Sequence, residues 1–160
     1  MKNIYIRLAL MIFFVFGIAL QAQAKEIKGL SEGQTLYVPA YSHIYIGNKA
    51  SSYQLTVTLS IRNIDPLHAI TITSVDYYGS GGKLIKHYID TSQTLSSLGS
   101  TRYVILSNDK EGGSGANFIV KWTSEKPVNP PLIESVMIGT QSQQGISFTS
   151  RGQVILQTAP

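Results

Sequence analysis

The chain has 160 residues, no cysteine, 14% charged residues and a formal net charge of +4. This length predicts one domain. The lack of cysteine excludes disulfides, thiolate metal sites and a cysteine nucleophile. With 43% apolar residues and 14 glycines, the composition is that of a folded chain rather than a disordered one.

Residues 1–24 have the layout of a secretory signal peptide. Lys2 and Arg7 give a positive start, Leu8–Leu20 is an apolar run of 13 residues, and Ala22 and Ala24 then place small residues at alternate positions. A membrane-spanning helix needs about 20 apolar residues, so this run is too short for one. We therefore expect cleavage after Ala24 and a periplasmic or secreted protein, with an uncleaved anchor as the alternative.

The remaining chain is predicted to be a short leader, residues 25–32, followed by a single domain, residues 33–160. Without Lys2 and Arg7 it has 11 basic and 9 acidic residues, and its basic residues are spread along the chain. Nucleic-acid binding needs clustered positive charge, so no nucleic-acid partner is expected. Contact with a membrane is expected only in passing, through the signal peptide.

Alternation of apolar and polar residues predicts β-strands. It is clearest in Tyr53–Asn63 and in Gly115–Ser124, where every second residue is apolar and Trp122 falls on the core side. Shorter runs of the same kind are Gln34–Val38, Ser42–Ile46, Ala69–Tyr78, Lys83–Ile89, Arg102–Ser107, Leu132–Thr140, Ile146–Thr149 and Gln153–Gln157. Glycine, proline and asparagine signals separate them.

The mature sequence has no capped helical stripe, so the predicted fold is all-β. Short strands at this spacing favour a single-domain antiparallel β-sandwich of the immunoglobulin-like type, with a small closed barrel as the alternative. Successive loops then alternate between two ends. One end collects residues 47–52, 79–82, 109–114 and 141–145, and the other collects residues 64–68, 91–100 and 125–131.

Catalytic and metal-binding patterns are weak. His43, His68 and His87 lack metal-ligand spacing, and His87 lies between apolar strand residues as a core histidine would. Glu134 interrupts an apolar strand, which is typical of a charge on an edge strand. The glycine-rich loops are not followed by a helix, as a nucleophile elbow requires. We expect no enzyme activity, no catalytic residue, no metal and no cofactor.

Aromatic and polar residues near the first strands are the candidate binding groups. Exposed tyrosines can stack on sugar rings or anchor a protein partner, and polar loops on a rigid scaffold often carry binding. The candidates are Tyr37, Tyr41, His43, Tyr45, Asn48, Asp109, Lys110 and Glu111. Of these, Tyr41, His43 and Tyr45 are expected to form one outward-facing stripe.

Several segments, in order, resemble a bacterial exported family catalogued as domain of unknown function 3124. They are Gly33–Ser42, Ser60–Asn63, Asp76–Tyr78, Gly112–Phe118 and Pro131–Met137, and the likeness extends over about residues 33–152. The resemblance implies a single-domain secreted protein. The family has no assigned activity, so the resemblance transfers no catalytic residue.

Together these observations predict an exported cell-envelope module that binds or assembles with another protein and is not an enzyme. An exposed edge strand offers a second way to hold a protein partner, by adding a strand to the sheet. A glycan-binding module that uses the exposed tyrosines is the alternative, and a hydrolase is a weaker one. The expected partner is thus an envelope protein or a glycan.

Overall fold

The computed structural model describes residues 29–141 and 145–158, which form twelve strands and no helix. The strands are β1 Ser31–Pro39, β2 His43–Ile46, β3 Ser51–Gln54, β4 Thr56–Arg62, β5 Ile70–Tyr78, β6 Leu84–His87, β7 Gln93–Leu95, β8 Ser100–Ile105, β9 Asn117–Val128, β10 Leu132–Gly139, β11 Ile146–Arg151 and β12 Gln153–Thr158. The predicted signal peptide, residues 1–24, lies outside the described residues. In the described part, no helix has the length and apolar character needed to cross a bilayer.

The strands form two main antiparallel sheets and a small hairpin. The first sheet has the order β12-β1-β9-β5-β6, with β7 also paired to β5. The second has the order β11-β10-β4-β8, and β2 and β3 pair with each other. The predicted all-β antiparallel sandwich is therefore confirmed.

One side of the sandwich is closed by a strand that passes from one sheet to the other. β11 pairs with β10 in the second sheet, and β12 pairs with β1 in the first. Gly152 joins them, and its amide donates to the carbonyl of Ile133 at 2.9 Å. A Cβ there would lie 3.1 Å from a Val38 methyl and 3.2 Å from the Ile133 carbonyl oxygen, so the crossing leaves little room for a side chain.

The opposite side is closed by aromatic side chains. Tyr88 and Tyr103 pack edge to face with ring centroids 5.5 Å apart. The Tyr88 hydroxyl donates to the carbonyl of Val104 on β8, and the Tyr103 hydroxyl donates to Gln93 on β7. Burial raises the pKa of both tyrosines, so both hydroxyls stay protonated donors at neutral pH.

The core lies between the two sheets and is built from the inward residues of the alternating strands. Its largest members are Trp122, Tyr77 and Phe118, which are almost fully buried. The core position predicted for Trp122 is confirmed. Alternate side chains of β1, β4, β9 and β10 are buried, as a strand covered on one face requires.

Three details differ from the sequence prediction. The run Tyr53–Asn63 is not one strand, because the chain leaves the hairpin at Leu55 and enters the second sheet as β4. The short strand β7 lies within the segment predicted as loop 91–100. Glu134 is not on an edge strand, since β10 lies between β11 and β4.

The loops gather at two ends, as predicted. At the upper end, hydrogen bonds join Ser42 to Gly113 and Ser80 to Gly112. At the lower end they join Leu98 to Asp65 and Asn63 to Gly99. The upper end is thus the end with Gly112 and Gly113, and the lower end is the end with Asp65 and Leu98.

Asp65 holds the lower end together. Its side chain is buried and accepts hydrogen bonds from the backbone amides of Asn129, Leu67 and His68 at 2.9–3.0 Å, and from the Asn129 side chain at 3.1 Å. The Asn129 amide above all, with those of Leu67 and His68, holds the pKa of the carboxyl well below its usual range, against the opposing effect of burial. One charged carboxylate thus ties the loop after β4 to the loop after β9.

We predict that Asp65→Ala lowers the free energy of unfolding by about 3 kcal/mol, because several buried donors lose a charged acceptor. The exposed Asp90→Ala is the control and should change stability by less than about 0.5 kcal/mol. Chemical denaturation of both variants measures the difference. Equal stabilities would contradict this role of Asp65.

The same pKa shift predicts a stability loss in acid. Because the pKa of Asp65 is lower in the folded protein, its contribution is complete above the unfolded value of 3.8 and is lost as pH falls from there toward the folded pKa. Unfolding followed from pH 6 to pH 2 should show a steeper loss in the natural chain than in Asp65→Asn, which has no charge to titrate. Parallel pH profiles would contradict the prediction.

Candidate functional site

A β-hairpin projects from the upper end and is fixed at its base. The buried Ser42 hydroxyl donates to the carbonyl of Gly113 at 3.0 Å, and the amide of Gln141 donates to the Tyr53 hydroxyl at 2.8 Å. Leu55 also returns to Ser42 through a backbone hydrogen bond of 2.9 Å. The hairpin, β2–β3, is therefore a separate arm with a rigid attachment.

Strand β2 of this arm presents an aromatic pair. The rings of His43 and Tyr45 meet edge to face at 5.2 Å, and His43 Nε2 lies 3.2 Å from the Tyr45 hydroxyl. Tyr45 is 59% exposed and Ile46 is 39% exposed. The arm therefore exposes the aromatic side chain of Tyr45 on one face of β2 and the apolar side chain of Ile46 on the other.

The other two predicted tyrosines lie elsewhere. Tyr41 precedes β2 and is half-buried, with its ring 5.9 Å from that of Phe148. Tyr37 is on β1, where its neighbours Leu36 and Val38 are buried and it faces out from the first sheet. The predicted stripe is thus reduced to His43 and Tyr45, because Tyr41 packs against the sandwich.

The predicted polar loop residues are exposed turns around a glycine-rich cleft. Asn48 is in the exposed turn of the hairpin. Asp109 accepts from the amides of Glu111 and Gly112, which makes it the cap of its own turn. Lys110 is exposed beside it. Glu111 lines the cleft, of about 590 Å³, together with Lys83 and the glycines of both loops.

Ser80 and Tyr77 show why these loops are structural. The Ser80 hydroxyl donates to the Gly112 carbonyl and accepts from the Gly115 amide, both at 2.9 Å, so it joins the two glycine loops. The buried Tyr77 hydroxyl abuts Gly112 and has no hydrogen-bond partner among the described residues. Burial, then the charge of Asp109, raises its pKa.

The histidines do not come together. His68 is at the lower end against Asp65, whereas His43 is on the upper hairpin. His87 is exposed, and its Nδ1 lies 2.6 Å from the Asp76 carboxylate; the core position predicted for it is wrong. The alternation around His87 belongs to β6, which lies at the edge of the first sheet, and the side chains of this strand are not fully covered. Glu134 pairs across the second sheet with Arg151 and Ser60.

Among residues 29–141 and 145–158, no group of three or more histidine, aspartate or glutamate side chains is close enough to hold a metal ion. Asp76 also accepts from the Ser74 hydroxyl at 2.6 Å, so serine, aspartate and histidine are adjacent on the first sheet. Here the serine bonds to the aspartate, whereas a nucleophilic serine has to bond to the histidine that takes its proton.

A second candidate surface, which the sequence pattern does not predict, lies at the lower end. A groove of about 560 Å³ lies there beside the strand crossing, lined by Ile64, Pro131 and Leu132 with Arg151 among the polar residues. Leu67 and Leu98 are largely exposed on the adjoining loops. The signal that identifies them is an apolar residue inside a segment otherwise made of turn residues, which periodicity does not reveal.

The fold and its loops define a small antiparallel β-sandwich of two sheets with a projecting hairpin. Residues 33–155 match the model of a family described as "Protein of unknown function (DUF3124)", and the chain belongs to this family. The resemblance found in the sequence is thereby confirmed.

No curated protein matches the chain. Among solved structures, it is similar to one titled "Crystal Structure of Thermotoga maritima 1070". The two are 12% identical with a TM-score of 0.45, over 75% of this chain and 92% of that chain.

We predict that Gly112→Ala destabilises the protein by about 2 kcal/mol or more, because the new Cβ would overlap the Tyr77 hydroxyl. Gly81→Ala is the matched control, since an added Cβ there has nothing within 4 Å. Thermal unfolding of both measures the effect. Tyr77→Phe should relieve part of the cost of Gly112→Ala, and its failure to do so would contradict this packing.

Proposed function

We propose that this protein is an exported module of the cell envelope that binds another protein through the β2–β3 hairpin and is not an enzyme. Export rests on the signal-peptide layout of residues 1–24. The single observation that carries the binding function is the rigidly attached hairpin that exposes Tyr45 and Ile46.

The chemistry of the arm suits a protein partner. Tyrosine is enriched among the residues that dominate protein interfaces, because it buries a large ring and keeps a hydroxyl for hydrogen bonding. Tyr45 is held by His43, so little conformational freedom is lost when it binds. An arm with a fixed base and an exposed tip is suited to inserting its tip into a partner protein.

The backbone of the arm adds a second means of recognition. β2 and β3 pair with each other as a two-stranded sheet, so among the described strands each has an outer edge without a strand partner. An extended segment of another protein can pair with such an edge and place alternate side chains on either face. This route needs no pocket.

Supporting a non-enzymatic function, the polar groups that resemble catalytic residues are used within the fold. Ser80 joins two loops, Asp65 fixes the lower end, and Asp109 caps a turn. Each of these side chains therefore has a structural role in the fold.

Substitution of the arm tests the proposal. Tyr45→Ser with Ile46→Ser should reduce retention of a specific partner from envelope extract by at least about tenfold, since both side chains are exposed and their loss leaves the core intact. Tyr37→Ser, on the outer face of the first sheet, is the matched control and should retain the partner. Equal retention of the partner by both variants, or the absence of any specific partner, would contradict the proposal.

A second candidate function, glycan binding, is favoured by the row of side chains that includes Tyr37. Across the first sheet this row runs from Tyr37 to Ile119, Asp76 and His87. An aromatic ring thus faces the same way as a carboxylate two strand spacings away, about 10 Å, which is within the reach of a short oligosaccharide.

The glycan candidate predicts a different outcome. Binding on a glycan array should be lost in Tyr37→Ser and kept in the double variant Tyr45→Ser with Ile46→Ser, because the two tyrosines lie on separate surfaces. A flat array profile for the natural chain would exclude this candidate. The two variants therefore separate the two functions in one set of proteins.

A further inference from the structure

Three exposed apolar side chains surround Asp65 at the lower end. Leu67 is 79% exposed, Leu98 is 71% exposed and Ile64 is 48% exposed. Ile64 precedes Asp65, the Leu67 amide donates to its carboxylate and the Leu98 amide donates to its carbonyl. Scattered exposed apolar residues are ordinary, but these three come from two loops that hydrogen bonds join at Asp65.

Leu98 is held in a backbone conformation that leucine rarely adopts. Its φ is +57°, in the left-handed region where glycine and asparagine are at ease and a leucine costs stability. Its loop is fixed by the hydrogen bonds of Leu98 to Asp65 and of Gly99 to Ser96. A strained, exposed leucine on a fixed loop is explained if the side chain is presented to something.

The chain enters the sandwich at this same end. Ser31 pairs with Val128, next to the Asn129 that binds Asp65, so Gly29 and Leu30 lie at the lower end. The apolar run Leu8–Leu20 precedes Gly29 by eight residues, which span at most about 30 Å. Before cleavage after Ala24, or in an uncleaved chain, a segment with affinity for a bilayer is therefore tethered on the side of the exposed leucines.

We infer that the lower end docks on the surface of a lipid bilayer, with Leu67 and Leu98 inserted at the depth of the headgroups. This is a lasting contact, beyond the passing one of a signal peptide. It concerns the end opposite the hairpin, so it stands or falls separately from the proposed protein binding.

The charges at the lower end favour insertion over simple electrostatic attraction. Arg62, Lys126 and Arg151 are exposed there, and the carboxylates of Glu32, Glu125 and Asp65 lie at the same end. The two signs offset each other, so the apolar side chains supply most of the binding. Binding should therefore fall little when salt is raised, whereas a polybasic surface would release the membrane.

Labelling the whole chain tests which end faces the bilayer. Because the chain has no cysteine, Leu67→Cys and Leu106→Cys each accept one environment-sensitive dye. Leu106 is also exposed and lies at the upper end after β8. With vesicles of phosphatidylethanolamine and phosphatidylglycerol, the dye at position 67 should shift to the blue and the dye at position 106 should not. Equal shifts, or none, would overturn the inference.

A second measurement removes the apolar run. The chain that begins at Lys25 contains every described residue, and it should float with the same vesicles. Leu67→Ser with Leu98→Asn should lower the partition coefficient by about tenfold or more, since about 1.4 kcal/mol of apolar transfer is lost. Val104→Ser with Leu106→Ser, exposed residues at the upper end, should leave it unchanged.

Asparagine at position 98 keeps the left-handed backbone, so this double variant should unfold at the same or a higher temperature than the natural chain. Loss of vesicle binding then reflects the lost side chains. Unchanged partition of the double variant, or no flotation of the natural chain, would refute membrane docking. If the chain does not bind vesicles and a protein is instead crosslinked at position 67, the lower end is a protein-binding surface and the inference is wrong.

Discussion

The carboxylate of Asp65 sets the geometry of the lower end, and much of the structure depends on that geometry. It binds the turn that leads into β5 and the loop that leads from the first sheet to the second. Asn63, two residues earlier, donates its side-chain amide to carbonyls of His68 and Ser96, so it adds the loop before β8. A charged group in this position is stable because its hydrogen bonds replace the water it has lost.

The two sides of the sandwich solve the problem of free strand edges in different ways. At Gly152 a strand changes sheets, so backbone hydrogen bonds continue around that side. On the other side, Tyr88 and Tyr103 reach across with their hydroxyls. Exposed strand edges promote unwanted pairing, and both devices limit it. Among the described strands, the hairpin is the part that keeps two such edges, which is why it stands out as a binding surface.

The alternation of side chains predicted strands well where one face is buried, as in β4 and β9. Alternation does not predict which sheet a strand joins. The pattern is continuous through Leu55, although the chain passes there from the hairpin to the second sheet. His87 and Glu134 show a second limit. The predictions for both rest on their neighbours along the chain, whereas burial depends on the neighbouring strands. β6, expected to be covered, lies at a sheet edge, and β10, expected at an edge, lies between two strands.

The candidate residues illustrate the same limit. Tyr45 was identified because an exposed aromatic residue is unusual in a strand pattern, and Tyr41 shared that pattern although Phe148, distant in sequence, covers it. Leu98 lies outside any strand pattern, so in the sequence it is marked only as an apolar residue among turn residues. Its interest arises from a backbone angle and from Asp65, and both are set by tertiary structure.

The two proposed surfaces lie at opposite ends of a rigid body. β1, with nine residues, runs from one end to the other, a distance of about 30 Å. If the lower end rests on a bilayer, the hairpin points away from it and holds its partner at that height. Binding then needs no change of shape, because each end is fixed by its own hydrogen bonds, Asp65 below and Ser42 above. In these two proposals together, the small sandwich acts as a spacer with a different chemistry at each end.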